Sequence, residues 1–352
     1  MLLYIVVFAM ALVITGALMP FAKSSAFLFN AIDKPSARKV HKDPMPRCGG
    51  IALVGGFLSA VVFGIIASLL FGRSHINYFG VLGVVAGAVV IFFVGLVDDI
   101  KGISPSKKLL LQIAAALIPV AMGVSIQFIS IPFTGVLLLG VFSIPMTVLW
   151  IVGATNALNF IDGLDGLASG VSAIAAITLF IVALKMHQPG AAIVLAAVAG
   201  AAIGFLRYNF HPASIFLGDS GSLFLGYILA AASIIGVLKS TIIFALLIPV
   251  FILGVPIFDT ASVIMRRVRD GHPIFYADRR HLHHRLLDRG FSHKQVVVSI
   301  YFACILLSIA TLSLTFLTPF QATIVLIITF VMSVMLIRSI KSYVKKFVVT
   351  EK

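Results

Sequence analysis

Long apolar runs broken by short polar segments repeat along the whole chain. They place spans near 2–22, 48–71, 78–97, 109–124, 136–154, 168–184, 191–206, 221–238, 241–264, 295–316 and 320–337. Each approaches the length of about 20 residues that a helix needs to cross a bilayer. The pattern predicts an all-α integral membrane protein of about eleven transmembrane helices. It forms one polytopic domain over 1–352, with a basic tail at 338–352. The break inside 109–154 rests on "SIQFISIPFTG" alone, and a span lost or gained there inverts everything downstream.

Charge supplies an independent test. With the first span starting outside, the inner segments are 23–47, 98–108, 155–167, 207–220, 265–294 and 338–352. They hold 23 of the 26 Lys and Arg residues, leaving only Arg73, Lys185 and Lys239 elsewhere. Cytoplasmic loops accumulate Lys and Arg, so this asymmetry favours eleven spans with the polar face in the cytoplasm. The acidic residues go further than that rule demands. All eleven aspartates lie in or at the edge of inner segments, and so do seven of the nine histidines. One face is therefore expected to hold nearly all the ionisable chemistry.

Composition agrees. The chain is 61% hydrophobic and 11% charged, against about 25% charged in soluble proteins. Cys48 and Cys304 are too few for a disulfide framework. The apolar N-terminus has no basic region before it and reads as a retained span, not a signal peptide.

Four polar clusters carry candidate chemistry. In "LVDDIKGISPSKK", Asp98 and Asp99 are adjacent carboxylates at a span end, costly to desolvate unless a cation or a proton-transfer task offsets their repulsion. Lys101, Lys107 and Lys108 follow, which suits a site holding both a dication and phosphates; a solvated helix end is the plainer reading. In "TNALNFIDGLDGLASG", Asn159, Asp162 and Asp165 recur every three residues and would share one face of a helix, with Asn156 just before them. A helix cap with a glycine turn explains one such aspartate, not the whole set. In "FLGDSGSLFLG", Asp219 opens a span where Ser220 or Ser222 could cap the helix. Asp219 with Asn159 would make the sparse oxygen site that Mg²⁺ prefers. In "DGHPIFYADRRHLHHRLLDRG", Arg279, His281, His283, His284 and Arg285 suit phosphate or sugar recognition better than zinc, since no thiolate lies nearby. A basic loop attracted to lipid headgroups is the alternative there. The 31–50 segment, with Arg38, Lys39, His41, Lys42 and Arg47, could receive an anionic lipid head or be an ordinary membrane-surface stretch.

Together "RKVH…MPRCGG", "VDDIKGISPSKKLLLQ", "TNALNFIDGLDGLA", "FLGDSGSLFLG" and "HLHHRL" resemble, in order, the motifs of the polyprenyl-phosphate N-acetylhexosamine-1-phosphate transferases. The resemblance covers about residues 30 to 290. It implies transfer of GlcNAc-1-phosphate from UDP-GlcNAc to undecaprenyl phosphate, initiating a teichoic acid or O-antigen-type glycan. It further implies a cytoplasm-facing site in a bacterial cell membrane, Mg²⁺ or Mn²⁺, and often a homodimer. Its metal ligands fall on Asp219 and Asn159, and the lipid-phosphate aspartate on Asp98 with Asp99 beside it. The diphosphate lysine falls on Lys108, nucleotide contacts on Asp162–Asp165, and the sugar loop on His281–Arg285. The peptidoglycan branch, a phospho-MurNAc-pentapeptide transferase, usually carries three consecutive histidines where this chain has His281-Leu282-His283-His284.

Two rivals differ in class. A secondary transporter would place ionisable groups near the bilayer midplane; here Asp259 is the chief charge within a span. A CDP-alcohol phosphotransferase would need an arginine that "DGLDGLASG" lacks. Nothing in the sequence suggests nucleic-acid binding.

Overall fold

The computed structural model describes residues 1–33, 44–71, 76–131, 135–236, 247–269, 281–318 and, within 320–332, all but 322, 326 and 330. The helices are α1 (Leu2–Ala17), α2 (Met19–Leu28), α3 (Gly49–Leu70), α4 (Tyr78–Lys101), α5 (Pro105–Ala121), α6 (Ser143–Ile161), α7 (Leu167–Lys185), α8 (Pro189–Asn209), α9 (Gly218–Gly236), α10 (Leu247–Ile252), α11 (Gly254–Arg269), α12 (Leu282–Leu287) and α13 (His293–Phe316). Two short antiparallel ladders join them: β1 (Ile32–Asp33) with β2 (Met45–Pro46), and β3 (Phe128–Ile131) with β4 (Gly135–Leu138).

Seven of the described helices are long and apolar enough to cross a bilayer, or eight if α1 and α2, bent by 43° at Leu18, form one broken span. The sequence pattern diverges from the structure in specific places. The expected span at 136–154 begins instead on β4 and a 3₁₀ turn at Gly140–Phe142, and its helix runs on to Ile161. Isolated apolar runs do not distinguish strand from helix, and here Phe128–Ile131 pairs antiparallel with Gly135–Leu138. The helix α5 has only 17 residues and includes Pro119. The 241–264 run is represented by α10 and α11, broken at Leu253, with residues 237–246 outside the described set. The expected 320–337 span lies partly, and the 338–352 tail wholly, outside it.

The core is built around α9. Every residue from Ser220 to Gly236 is buried, and the helix packs against α3, α4, α6, α7 and α8. Lipid removes the hydrophobic drive between helices, so close packing and hydrogen bonds must hold such a bundle. Trp150 Nε1 donates to the Ala230 carbonyl at 3.2 Å, and Tyr227 Oη donates to Ala115 at 2.9 Å. Phe57 meets Phe224 edge-on at 5.1 Å. These contacts fix α9 against α5, α6 and α3, the frame from which its N-terminus projects.

Candidate active site

The first turn of α9 organises the polar cluster. Gly218 precedes Asp219 with φ +74°, and a Cβ there would come within 2.3 Å of the Arg47 carbonyl. Only glycine supplies both the left-handed turn and that approach. Arg47 arrives because the chain before α3 runs beside the chain before α9. Phe216 N donates to Pro46 at 2.8 Å, and Gly49 N and Gly50 N donate to Phe216 and Leu217, both at 3.0 Å.

Asp219 then gathers cations. Its Oδ1 accepts from Arg47 Nη2 and from Asn159 Nδ2, each at 3.1 Å, while Lys108 Nζ reaches Oδ2. The same ammonium lies 2.8 Å from Asp98 Oδ2. Lys108, at the start of α5, therefore sits between carboxylates from α4 and α9. Asp98 is fixed in turn by Ile103 N, which donates to its Oδ1 at 2.6 Å.

Asp99 caps a helix, a role the sequence did not suggest. Its carboxylate accepts the N–H groups of Asp219 at 2.8 Å and Ser220 at 2.9 Å, and Arg47 Nε lies 3.2 Å from Oδ1. Its side chain is 0% exposed. Neither Ser220 nor Ser222 caps α9; a carboxylate from α4 does, meeting the free N–H groups and positive end of the helix.

The second motif is not one continuous helical face. Asn159 occupies the last turn of α6, Asp162 is that helix's C-cap, and Gly166 at φ +79° starts α7. The glycines that permit the turn break the three-residue periodicity. Asn159 donates to Ser222 Oγ at 2.8 Å as well as to Asp219; as a metal ligand its amide would turn to present oxygen. Asn156 is engaged with Gln112, donating to its Oε1 at 2.6 Å and accepting from its Nε2 at 3.3 Å. That pair ties α5 to α6 and occupies the amide expected to bind substrate. Asp162, facing Asp219 and partly withdrawn from water, has a carboxyl pushed up to about 8, first by burial and then by Asp219's charge. Asp165 turns elsewhere, accepting from Ala213 N at 3.1 Å, with His211 Nδ1 at 2.8 Å.

The histidine motif forms the short helix α12. His281 Nδ1 lies 2.8 Å from Asp259 Oδ2, and Leu282 N donates to Asp259 Oδ1 at 2.8 Å. Asp259, the charge within an apolar run, thus anchors this loop to α11. His283 is buried against Gly163, where a Cβ would lie 2.5 Å from its Nε2. Burial, then His284 and His281, pull its imidazole down to about 3, so it is neutral at pH 7. His284 lies beside it, with ring centroids 4.2 Å apart, and Arg285 is exposed. Arg279 lies outside the described residues. The sequence reading did not single out Gln112, His211 or His293, and it named Ser222 only as a possible helix cap; only folding brings them together.

A membrane-helix bundle with acidic and basic side chains converging at one helix N-terminus defines a class: a polytopic enzyme that handles anionic substrates. Residues 81–237 match the family model of glycosyl transferase family 4. The chain is 40% identical over 311 residues to a Bacillus subtilis protein named "probable undecaprenyl-phosphate N-acetylglucosaminyl 1-phosphate transferase", covering 88% of this chain and 84% of that one. It is 37% identical over 333 residues to the decaprenyl-phosphate N-acetylglucosaminephosphotransferase of Mycolicibacterium smegmatis, covering 88% and 81%. It is 30% identical over 334 residues to the phospho-N-acetylmuramoyl-pentapeptide-transferase of Desulforudis audaxviator, covering 88% and 96%. The protein belongs to glycosyl transferase family 4.

Proposed function

We infer that the protein transfers GlcNAc-1-phosphate from UDP-GlcNAc to undecaprenyl phosphate, releasing UMP and leaving undecaprenyl-diphospho-GlcNAc. The observation that carries this reading is Lys108 held between Asp98 and Asp219, with Arg47 on the other oxygen of Asp219. Such a cradle suits two phosphate-bearing substrates whose charges must be neutralised together.

In this reading an oxygen of the lipid phosphate attacks the sugar-linked phosphorus of UDP-GlcNAc. The new P–O bond forms as the bond to the UMP phosphate breaks, and UMP leaves with the electron pair. Lys108 and Arg47 swing from carboxylate to phosphate oxygens and offset the charge growing on the leaving group. Asp98, with 12% of its side chain exposed, orients the lipid phosphate and takes a proton when one is present. Asp162, its carboxyl pushed up to about 8 by burial and Asp219's charge, lies beside the nucleotide. His283 stays neutral and Arg285 remains open to the sugar side.

The donor set at Asp98, Asp219 and Asn159 is all hard oxygen once the Asn159 amide turns. The ammonium between two carboxylates marks a place that accepts a cation, which fits Mg²⁺. When bound, Mg²⁺ would supply Lewis-acid stabilisation of the diphosphate. The Lys and Arg asymmetry supports eleven spans with this site facing the cytoplasm, and a role at the start of teichoic acid or related polymer synthesis follows from the product. The decisive experiment supplies purified protein with Mg²⁺, undecaprenyl phosphate and each of UDP-GlcNAc, UDP-GalNAc and UDP-MurNAc-pentapeptide, and follows UMP release. Release with UDP-GlcNAc alone is expected; preference for the pentapeptide donor would move the protein to the peptidoglycan branch.

A further inference from the structure

One helical turn behind the Asp219 cluster, two amides face each other. Asn156 lies three residues before Asn159 on α6, and Gln112 lies four residues after Lys108 on α5. Residues three or four apart share a helix face, so each amide backs one of the two side chains that meet on Asp219. Asn156 Nδ2 donates to Gln112 Oε1 at 2.6 Å and to the Val152 carbonyl at 2.8 Å, and its Oδ1 accepts from Gln112 Nε2 at 3.3 Å. That is as many donations as Nδ2 has hydrogens. Gln112 itself is buried, 2% exposed.

The pair has a particular place among the helix contacts. Tyr227 Oη ties α9 to α5 through the Ala115 carbonyl. On its other side α9 presses on α6, where a Cβ at Gly226 would come within 2.7 Å of Thr155 Cα. Thus α9 holds α5 and α6 separately. Among the described residues, the Gln112–Asn156 bonds are the only hydrogen bonds that join α5 to α6 directly. An amide among apolar helices is costly unless it is bonded. Yet interhelical hydrogen bonds in membranes shift a folding equilibrium by only about threefold on average. Net stability is therefore a weak reason for these two amides, and position is a stronger one.

Without substrate, Lys108 and Asn159 both bond Asp219 and hold the cluster together themselves. In the transfer reading, on which this inference rests, Lys108 leaves its carboxylates for phosphate oxygens. That step releases the polar ties at the start of α5, and the amides one turn away remain to keep α5 in register with α6. We propose that Gln112 and Asn156 are positioning residues for the transfer. They hold Lys108 in place relative to Asn159 while the phosphates are bound, and neither touches substrate.

The test measures UMP release with UDP-GlcNAc, undecaprenyl phosphate and Mg²⁺, together with melting midpoints, for Gln112→Leu, Asn156→Leu, the double variant and the exchange Gln112→Asn with Asn156→Gln. A displacement of about 1 Å at a reacting group can cost about 100-fold, so each single leucine variant should lose kcat on that scale. KM for UDP-GlcNAc should stay within about threefold, the donor being held by other groups, and the midpoints should stay close to wild type. The double variant should be no slower than the slower single, because both remove one tie. The exchange, which keeps an amide at each end, should recover most of kcat. Wild-type kcat in Gln112→Leu would overturn the proposal, as would losses that multiply in the double variant. So would an Asn156→Leu defect confined to KM, which would make Asn156 a donor contact, or midpoints that fall with kcat and are not recovered by the exchange. A wild-type protein that releases no UMP would instead remove the transfer reading, and this proposal with it.

Discussion

The carboxylate of Asp99 accepts the backbone N–H of Asp219 at 2.8 Å, so one member of the adjacent aspartate pair positions the start of α9. Asp98 and Asp99 should therefore fail differently. Asp99→Ala leaves two helix N–H groups and the Nε of Arg47 without their partner, a loss of about 1–3 kcal/mol, seen as a lower melting midpoint. Asp98→Asn keeps its shape and should reduce kcat with the midpoint little changed. Measuring both quantities for both variants decides; a reversed pattern would exchange their roles.

Asp219→Asn removes the charge that Lys108 and Arg47 share. Turnover should fall at least about 100-fold, the scale for losing a principal electrostatic contact, while the protein still inserts and elutes as a single species. Retained wild-type UMP release would remove Asp219 from the chemistry.

Gly218→Ala places a Cβ 2.3 Å from the Arg47 carbonyl at φ +74°. The strain is about 1–3 kcal/mol, and relief requires Arg47 to move from Asp219. A lower melting midpoint together with weaker donor binding is expected; the midpoint alone falling would uncouple Arg47 from the substrate.

Asp162 titrates near 8 in the folded, metal-free protein and near 4 when unfolded. Between those values the folded state holds the extra proton, so stability declines as pH rises through the window. Melting curves of metal-free protein should show this decline, and Asp162→Asn should flatten it. An unchanged slope would place the carboxyl in water.

His283 works with the opposite sign. Its folded value is about 3 against about 6.5 unfolded, so the unfolded chain takes the proton first and stability is lost as pH falls below about 6.5. His283→Gln should lessen that acid sensitivity in chemical denaturation. Equal sensitivity in both proteins would mean that the imidazole is not desolvated.

The sequence by itself determined the membrane class, most helices, and the identity of the residues at the polar cluster. Apolar runs, Lys and Arg asymmetry and aspartate placement are local or additive properties, legible without contacts. Asp219, Asp98, Lys108 and Asn159 were found that way because charged and amide groups at span ends are costly and therefore conspicuous. Only the tertiary structure decided the jobs. Asp99 became a helix cap because α4 delivers it to the free N–H groups of α9. Asn156 was occupied because α5 brings Gln112 to it, and Asp165 turned away because the glycine turn points it toward His211. Hydrogen bonds between residues far apart in the chain depend on how helices pack, and no local pattern encodes that.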